Sequence, residues 1–131
     1  MAAEKAPEIT IEEFRKRYPE LFSDHSVDDI YCDAGWHGIL IGLCDTLQRY
    51  LKRHPDVSPV TVVQIKSNFG ELHFFYDGGD SYCRGAVEVA IQLSLRTCSY
   101  CGAPGNQVGT RWVSTLCPNH DGSNHLQPAV K

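Results

Sequence analysis

The apolar positions change period along the chain, and each change marks an element. After Thr10 the period is helical. Thr10 and Glu13 have capping-box spacing, which predicts a helix start there. Phe14, Tyr18 and then Leu21 or Phe22 form its apolar stripe, and Pro19 ends or bends the helix near Tyr18 because proline lacks the N–H. Residues 23–33 are polar and acidic, with Ile30 and Tyr31 as anchors. The longest helical pattern follows. Trp36, Ile39, Leu40, Leu43, Leu47, Tyr50 and Leu51 recur at helical spacing, with Arg49, Lys52 and Arg53 in the last turns, where cations suit the helix dipole. Gly38 and Gly42 share one face of it and predict close helix packing.

The period then shifts to that of a β-hairpin. Residues 60–66 (VTVVQIK) read as one strand and residues 71–76 (ELHFFY) as its return, with turn chemistry at Asn68 and Gly70. Leu72, Phe74 and Tyr76 share one face of the second strand. Residues 77–81 form a turn that leads into a last helix, with Asp80 or Ser81 as N-cap and an end near Arg96. Its predicted buried stripe is Tyr82, Ala86, Val89, Ala90 and Leu93. The fold class expected is therefore α+β. Helices pack on a β-hairpin in residues 1–97, followed by a C-terminal treble-clef-like or zinc-ribbon-like module in residues 98–131.

Composition narrows the class. A chain of 131 residues with 42% hydrophobic content is long enough to bury a core. No apolar run approaches the roughly 20 residues of a membrane helix, and the first residues lack the hydrophobic core of a secretory signal. A cytoplasmic setting without membrane contact is expected. The net charge is -4, with -5 carried by residues 1–34 and +2 by residues 96–131. Generic electrostatic binders of nucleic acid are usually basic, so this balance argues against one. The acidic N-terminal stretch reads as a solvated helix face or a docking surface for a basic partner.

The clearest chemistry lies in the cysteines. Three of the six cluster with a histidine near the C-terminal end: Cys98 and Cys101 with two residues between them, then Cys117 and His120 with two residues between them. Two close pairs joined by a loop supply the corners of a tetrahedral metal site, and three thiolates with one imidazole favour Zn²⁺ over Mg²⁺ or Ca²⁺. Gly102 permits the tight turn in which amide N–H groups point at the thiolates. His125 is the spare candidate for the fourth ligand. Six cysteines can also form disulfides, but a reducing compartment disfavours them. A thioredoxin-like pair would head a helix after a strand, whereas Cys98 follows a helix. Four good ligands leave no open position for a catalytic water, and Asp121 is the one carboxylate near the loop. One structural zinc and no enzymatic activity are expected. Trp112, Val113 and Leu116 supply most of the apolar side chains of this module, too few to fold it without metal.

The remaining candidates read as structural. Cys32, Cys44 and Cys83 are small buried hydrophobes, and His37 and His73 lack a nucleophile or carboxylate at a spacing that implies a site. Arg49, Lys52, Arg53 and His54, with Tyr50 between them, form a small basic patch that reads as helix-end charge or a phosphate contact. No phosphate loop, dinucleotide fingerprint or catalytic triad pattern occurs.

Taken as an ordered set, Gly35-Trp36 through Leu47, Val62 through Tyr76, Cys98 through Gly105 and Trp112 through His120 resemble small zinc-ribbon-containing proteins common in tailed phages and prophages. The sequence departs from them at Ser67 and Asn68, where similar proteins tend to carry charge. The resemblance implies a phage or prophage setting and a zinc site, not an activity. It leads to the expectation of a non-enzymatic accessory protein that binds a host protein complex, such as a CRISPR–Cas defence complex, in the host cytoplasm. The alternative is a zinc-dependent protein that binds nucleic acid or modulates transcription.

Overall fold

The computed structural model describes residues 4–122. The chain runs α1 (Ile11–Arg17), a 3-10 turn (Ala34–Trp36), α2 (His37–Arg53), β1 (Thr61–Asn68), β2 (Glu71–Asp77), α3 (Ser81–Ser94), β3 (Asn106–Val108) and β4 (Ser114–Leu116). It is an α+β fold with two antiparallel hairpins, β1–β2 and β3–β4.

Local chemistry sets the element ends where the sequence placed them. The Thr10 hydroxyl accepts from the Glu13 N–H, Glu12 and Glu13 occupy the first turn of α1, and Arg15, Lys16 and Arg17 its last. The chain leaves the helix at Tyr18, one residue before Pro19. Asp80 caps α3 by accepting from the Cys83 N–H. The main helix begins one residue later than its apolar stripe. Trp36 belongs to the 3-10 turn and is fully buried, its indole N–H donating to the Thr97 carbonyl at 2.8 Å.

The core forms where α1, α2 and α3 close over one face of the β1–β2 hairpin. Phe14, Phe22, Trp36, Leu40, Leu47, Val62, Ile65 and Leu72 are its largest apolar members with almost no exposure. The polar stretch between α1 and α2 contributes Val27 and Ile30 to it. That stretch also covers the outer edge of β1: the Tyr31 N–H donates to the Ile65 carbonyl and the Ser67 N–H to the Tyr31 carbonyl, both at 3.0 Å. An otherwise open strand edge is thereby paired. Tyr31 anchors through its backbone while its ring stays half exposed. Val63 bulges out of the β1–β2 ladder between Val62 and Gln64.

Two expectations fail on α3 and α2. The buried positions of α3 are Cys83, Val87, Ala90 and Ser94, whereas Tyr82, Val89 and Leu93 are exposed by 46% or more. The helix carries two apolar stripes, and the one facing β2 is decided by the Ser94 hydroxyl, which accepts from the Leu72 N–H at 3.0 Å. The other stripe, which the sequence offered as buried, forms the wall of an open groove beside α2. Nor does any backbone approach Gly38 or Gly42: a Cβ at either would meet nothing within 4 Å.

His37 is buried in the core. Its Nδ1 accepts from the Ile9 N–H at 2.9 Å, so the ring is held neutral, and its Nε2 has no hydrogen-bond partner among the described residues. Burial lowers the affinity of this ring for a proton, against the raising effects of the Cys32 backbone and of Glu8, Asp33 and Asp29. A histidine whose folded pKa lies below its unfolded value binds more protons unfolded, so stability falls as pH drops below that unfolded value of about 6.5. Urea midpoints measured from pH 7.5 to 5 are expected to decline for the wild type. His37→Gln, which can accept from Ile9 without titrating, should flatten that decline. An equal decline in both would assign it to other groups.

Candidate metal centre and the surface it holds

Three backbone features build the metal-ligand cluster. After α3 the chain enters a knuckle in which the Gly102 N–H donates to the Cys98 carbonyl at 2.9 Å and the Cys98 N–H to the Ala103 carbonyl at 2.7 Å. Gly102 has φ near 87°, a conformation that glycine adopts without strain. The β3–β4 hairpin then returns the chain, pairing Asn106 with Leu116 and Val108 with Ser114. Immediately after β4, Cys117 and His120 share a turn in which the His120 N–H donates to the Cys117 carbonyl.

The result brings all four expected ligands together. The ligand atoms of Cys98, Cys101, Cys117 and His120 lie within 4.8 Å of one another, and these four residues could hold one metal ion. The Cys98 Sγ is 3.6 Å and the Cys117 Sγ 3.2 Å from the His120 Nδ1, and the Cys101 and Cys117 sulfurs are 3.7 Å apart. All six cysteines are free thiols. Burial pushes the Cys98 thiol up. The backbone N–H groups of Cys101, Cys117 and Tyr100, with the His120 ring, outweigh that effect and bring it down to about 6. Burial holds the Cys101 thiol near 11, with the Cys117 and Cys98 sulfurs adding to it against the Ala103 N–H. One sulfur of the quartet is thus predisposed to the thiolate form. The Tyr100 ring lies 4.6 Å from that of His120. His125 lies outside the described residues.

The cluster is stitched to the rest of the fold by backbone contacts on several sides. The Gly35 N–H donates to the Ser99 carbonyl at 2.7 Å and the Ala6 N–H to the Tyr100 carbonyl at 3.0 Å. The Thr115 hydroxyl, fully buried, donates to the Gly70 carbonyl at 2.6 Å. The Gln107 amide reaches the Phe69 carbonyl at 3.3 Å. The tip of the β1–β2 hairpin therefore rests on the β3–β4 hairpin.

That contact displays two aromatic side chains. Phe69 and Gly70 are the two central residues of the β1–β2 turn, and both have positive φ, 54° and 75°. Such turns normally take Asn, Asp or Gly at the first position, so a phenylalanine there is strained. Phe69 is nevertheless 69% exposed, and Trp112 is 87% exposed. Trp112, expected to help fill the module, instead stands in solvent; Val113 and Leu116 are half buried. Phe69 and Trp112 line one cleft of about 350 Å³ whose polar lining includes Asp33, Ser67, Asn68 and Ser99. Sequence periodicity points to neither residue. The signal present was a bulky residue before Gly70, where turn chemistry asks for a small polar one.

The other sequence candidates have structural roles. Cys44 and Cys83 are buried in the core and Cys32 packs against it. His73 lies beside Phe75 and Glu71 on the outer face of the hairpin. In the basic patch, Tyr50 stacks between His54 and Tyr82, with ring centroids 4.2 and 4.0 Å away, and its hydroxyl donates to Asp80 at 2.6 Å. Among the described residues no helix is long and apolar enough to cross a membrane. No family model matches the chain, and no curated protein or solved structure matches it.

Proposed function

We propose that this chain is a non-catalytic binding module in which one structural Zn²⁺, held by Cys98, Cys101, Cys117 and His120, fixes a zinc-ribbon-like lobe. The observation that carries the proposal is the convergence of four ligand atoms within 4.8 Å in the same lobe whose Ser99, Val113 and Thr115 line the Phe69–Trp112 cleft. Zinc bond lengths of about 2.3 Å to sulfur and 2.0–2.1 Å to nitrogen give tetrahedral edges of about 3.8 Å between sulfurs and 3.6 Å between sulfur and nitrogen. The 3.7 and 3.6 Å edges fit this, and the 3.2 Å edge is somewhat short. Four protein ligands close the sphere, so the metal acts as scaffold. What it scaffolds is an exposed tryptophan and a strained, exposed phenylalanine. Tryptophan is among the residues that most often anchor protein interfaces, and strain retained on a solvent-facing side chain is favoured by function rather than by folding.

The resemblance of the sequence to phage zinc-ribbon proteins adds a phage or prophage setting to this reading, with a host protein complex of the defence type as partner. A second reading is favoured by the same aromatic pair, because aromatic faces also stack on unpaired nucleobases and Arg111 adjoins Trp112. The net charge of -4 opposes it.

The test is affinity capture from bacterial lysate with the wild type, Trp112→Ala and Phe69→Gly. A protein partner retained after nuclease treatment, only weakly salt-dependent and reduced at least ten-fold by Trp112→Ala, is expected. Phe69→Gly should lower capture while leaving stability unchanged or raised by up to about 1 kcal/mol, since glycine removes the strain. Recovery of nucleic acid alone, with affinity falling steeply in salt, would establish the second reading instead.

A further inference from the structure

The exposed stripe of α3 and the glycine face of α2 enclose an open groove of about 790 Å³, lined by Ile39, Gly42, Thr46, Tyr82, Val89 and Leu93 among others. We infer that this groove takes an amphipathic helix of a partner protein, apolar along its middle and acidic at both ends. The inference rests on reading the chain as a protein-binding module, and it places a second contact surface apart from the Phe69–Trp112 cleft.

Three observations carry it. The first is shape. The two walls are helices, and the α3 wall from Tyr82 to Leu93 runs about 17 Å at 1.5 Å per residue, the length of a helix of about three turns. The second is the glycines. Gly38, Gly42 and Gly85 all line the groove, and a Cβ at each would meet nothing within 4 Å. Glycine is a poor helix former, and nothing inside the chain requires it at these positions. It leaves a floor on which another helix can lie with its axis close, as small residues allow at helix crossings.

The third observation is charge. The seam of α2 reads Ile39, Gly42, Thr46, Arg49, Arg53, and that of α3 reads Tyr82, Ala86, Val89, Leu93 and continues to Arg96 in the turn after the helix, each at alternating three- and four-residue steps. Tyr82 stacks on Tyr50, so the start of α3 lies beside the end of α2. The seams thus run in opposite directions, and each ends in arginine. By helical phase Arg49 and Arg53 continue the α2 wall beyond Thr46, and Arg96 follows Leu93 just past the end of α3. None of the three makes an ion pair or side-chain hydrogen bond among the described residues. The nearby carboxylates are placed otherwise. Asp45 accepts from Tyr18, and Asp80 is committed to Tyr50 and the N-terminus of α3. Glu88 shares a shallow recess with Arg96 on the outer shoulder of α3, one position off the seam. An occupant with apolar anchors at i, i+3 or i+4 and i+7 and acidic residues at its ends meets both the walls and the arginines.

The probe is a synthetic 18-residue helix with leucine along one face and glutamates at both ends, with a twin carrying lysines at the ends. Binding to the zinc-loaded full chain is read by fluorescence anisotropy and by amide shifts of Gly38, Gly42 and Gly85. The acidic peptide should bind at least ten-fold tighter than its twin at low salt and shift those three glycines. Arg49→Glu combined with Arg96→Glu should reverse the preference. Gly42→Leu, whose Cβ meets nothing within 4 Å, should weaken binding at least ten-fold while leaving the dispersed amide spectrum intact. Equal binding of both peptides, absence of binding, or shifts confined to other residues would overturn the assignment and leave the cleft reading untouched. Sedimentation equilibrium showing a dimer dispersed by Gly42→Leu would also overturn it, naming a second copy as the occupant.

Discussion

Native mass spectrometry of the purified chain is expected to show one zinc per molecule, and removal of that zinc is expected to unfold residues 98–120. Binding of structural zinc contributes an apparent 10–16 kcal/mol in zinc-finger peptides, strongly dependent on pH, while the net stability of a whole domain is about 5–15 kcal/mol. Few interactions in the C-terminal lobe could replace it. Its described strands are three residues each, and its largest apolar side chain, Trp112, is in solvent. Cys117→Ser should therefore abolish zinc retention and hydrogen-exchange protection throughout the knuckle and the β3–β4 hairpin. His120→Cys, which restores a four-ligand set, should keep both. The core around α1, α2 and the β1–β2 hairpin should retain a cooperative transition at a lower midpoint, because the hydrogen bonds it loses are those made through Ala6, Gly35, Phe69 and Gly70. Zinc retention should also fail on acidification, since thiolates and a neutral imidazole are required. Full protection of residues 98–120 in the metal-free chain would overturn the scaffold reading and return these sulfurs to ordinary buried thiols.

Much of this architecture was legible in the sequence because its signals are local. A cap such as Thr10 or Asp80 acts within three residues, a proline acts on its own turn, and paired Cys or His residues with two residues between them act within one turn of chain. The closeness within each pair, Cys98 with Cys101 and Cys117 with His120, was legible for the same reason. What was not legible depends on which of two competing surfaces wins. On α3 the stripe of Tyr82, Ala86, Val89 and Leu93 is more hydrophobic than the stripe actually buried, which ends in a serine. The buried stripe is selected by long-range partners: the Leu72 N–H needs an acceptor, and Ser94 supplies it. Hydrophobicity alone cannot express that requirement. The same limit hid the Phe69–Trp112 cleft, whose residues meet only because Thr115 and Gln107 tie two hairpins together across more than thirty positions of sequence.

The glycines of residues 35–42 give the second large effect, and they separate structural from functional demands within two turns of chain. Gly35 is buried, and a Cβ there would lie 2.2 Å from the Cys98 carbonyl oxygen and 2.5 Å from the Ser99 carbonyl. Both neighbours are backbone, so neither can rotate aside. Gly35 does not have a positive φ, so alanine is permitted by conformation and refused by space alone. Gly35→Ala is expected to cost about 3 kcal/mol, at the upper end of overpacking in a filled site. It should also lower zinc affinity, because the clash falls on the backbone of the first ligand. Gly38→Ala and Gly42→Ala are expected to do the opposite and stabilise by about 1 kcal/mol each, since an open helical position gains propensity and the unfolded chain loses freedom. Urea denaturation of the three variants, with zinc competition by a chromophoric chelator, checks both signs. A neutral Gly35→Ala would mean that the turn before α2 is not seated on the knuckle. If Gly38 and Gly42 stabilise on replacement as expected, the wild-type chain keeps two glycines that its own fold would be better without. Selection for something outside the fold is then the physical explanation, and the open groove they floor is where it acts.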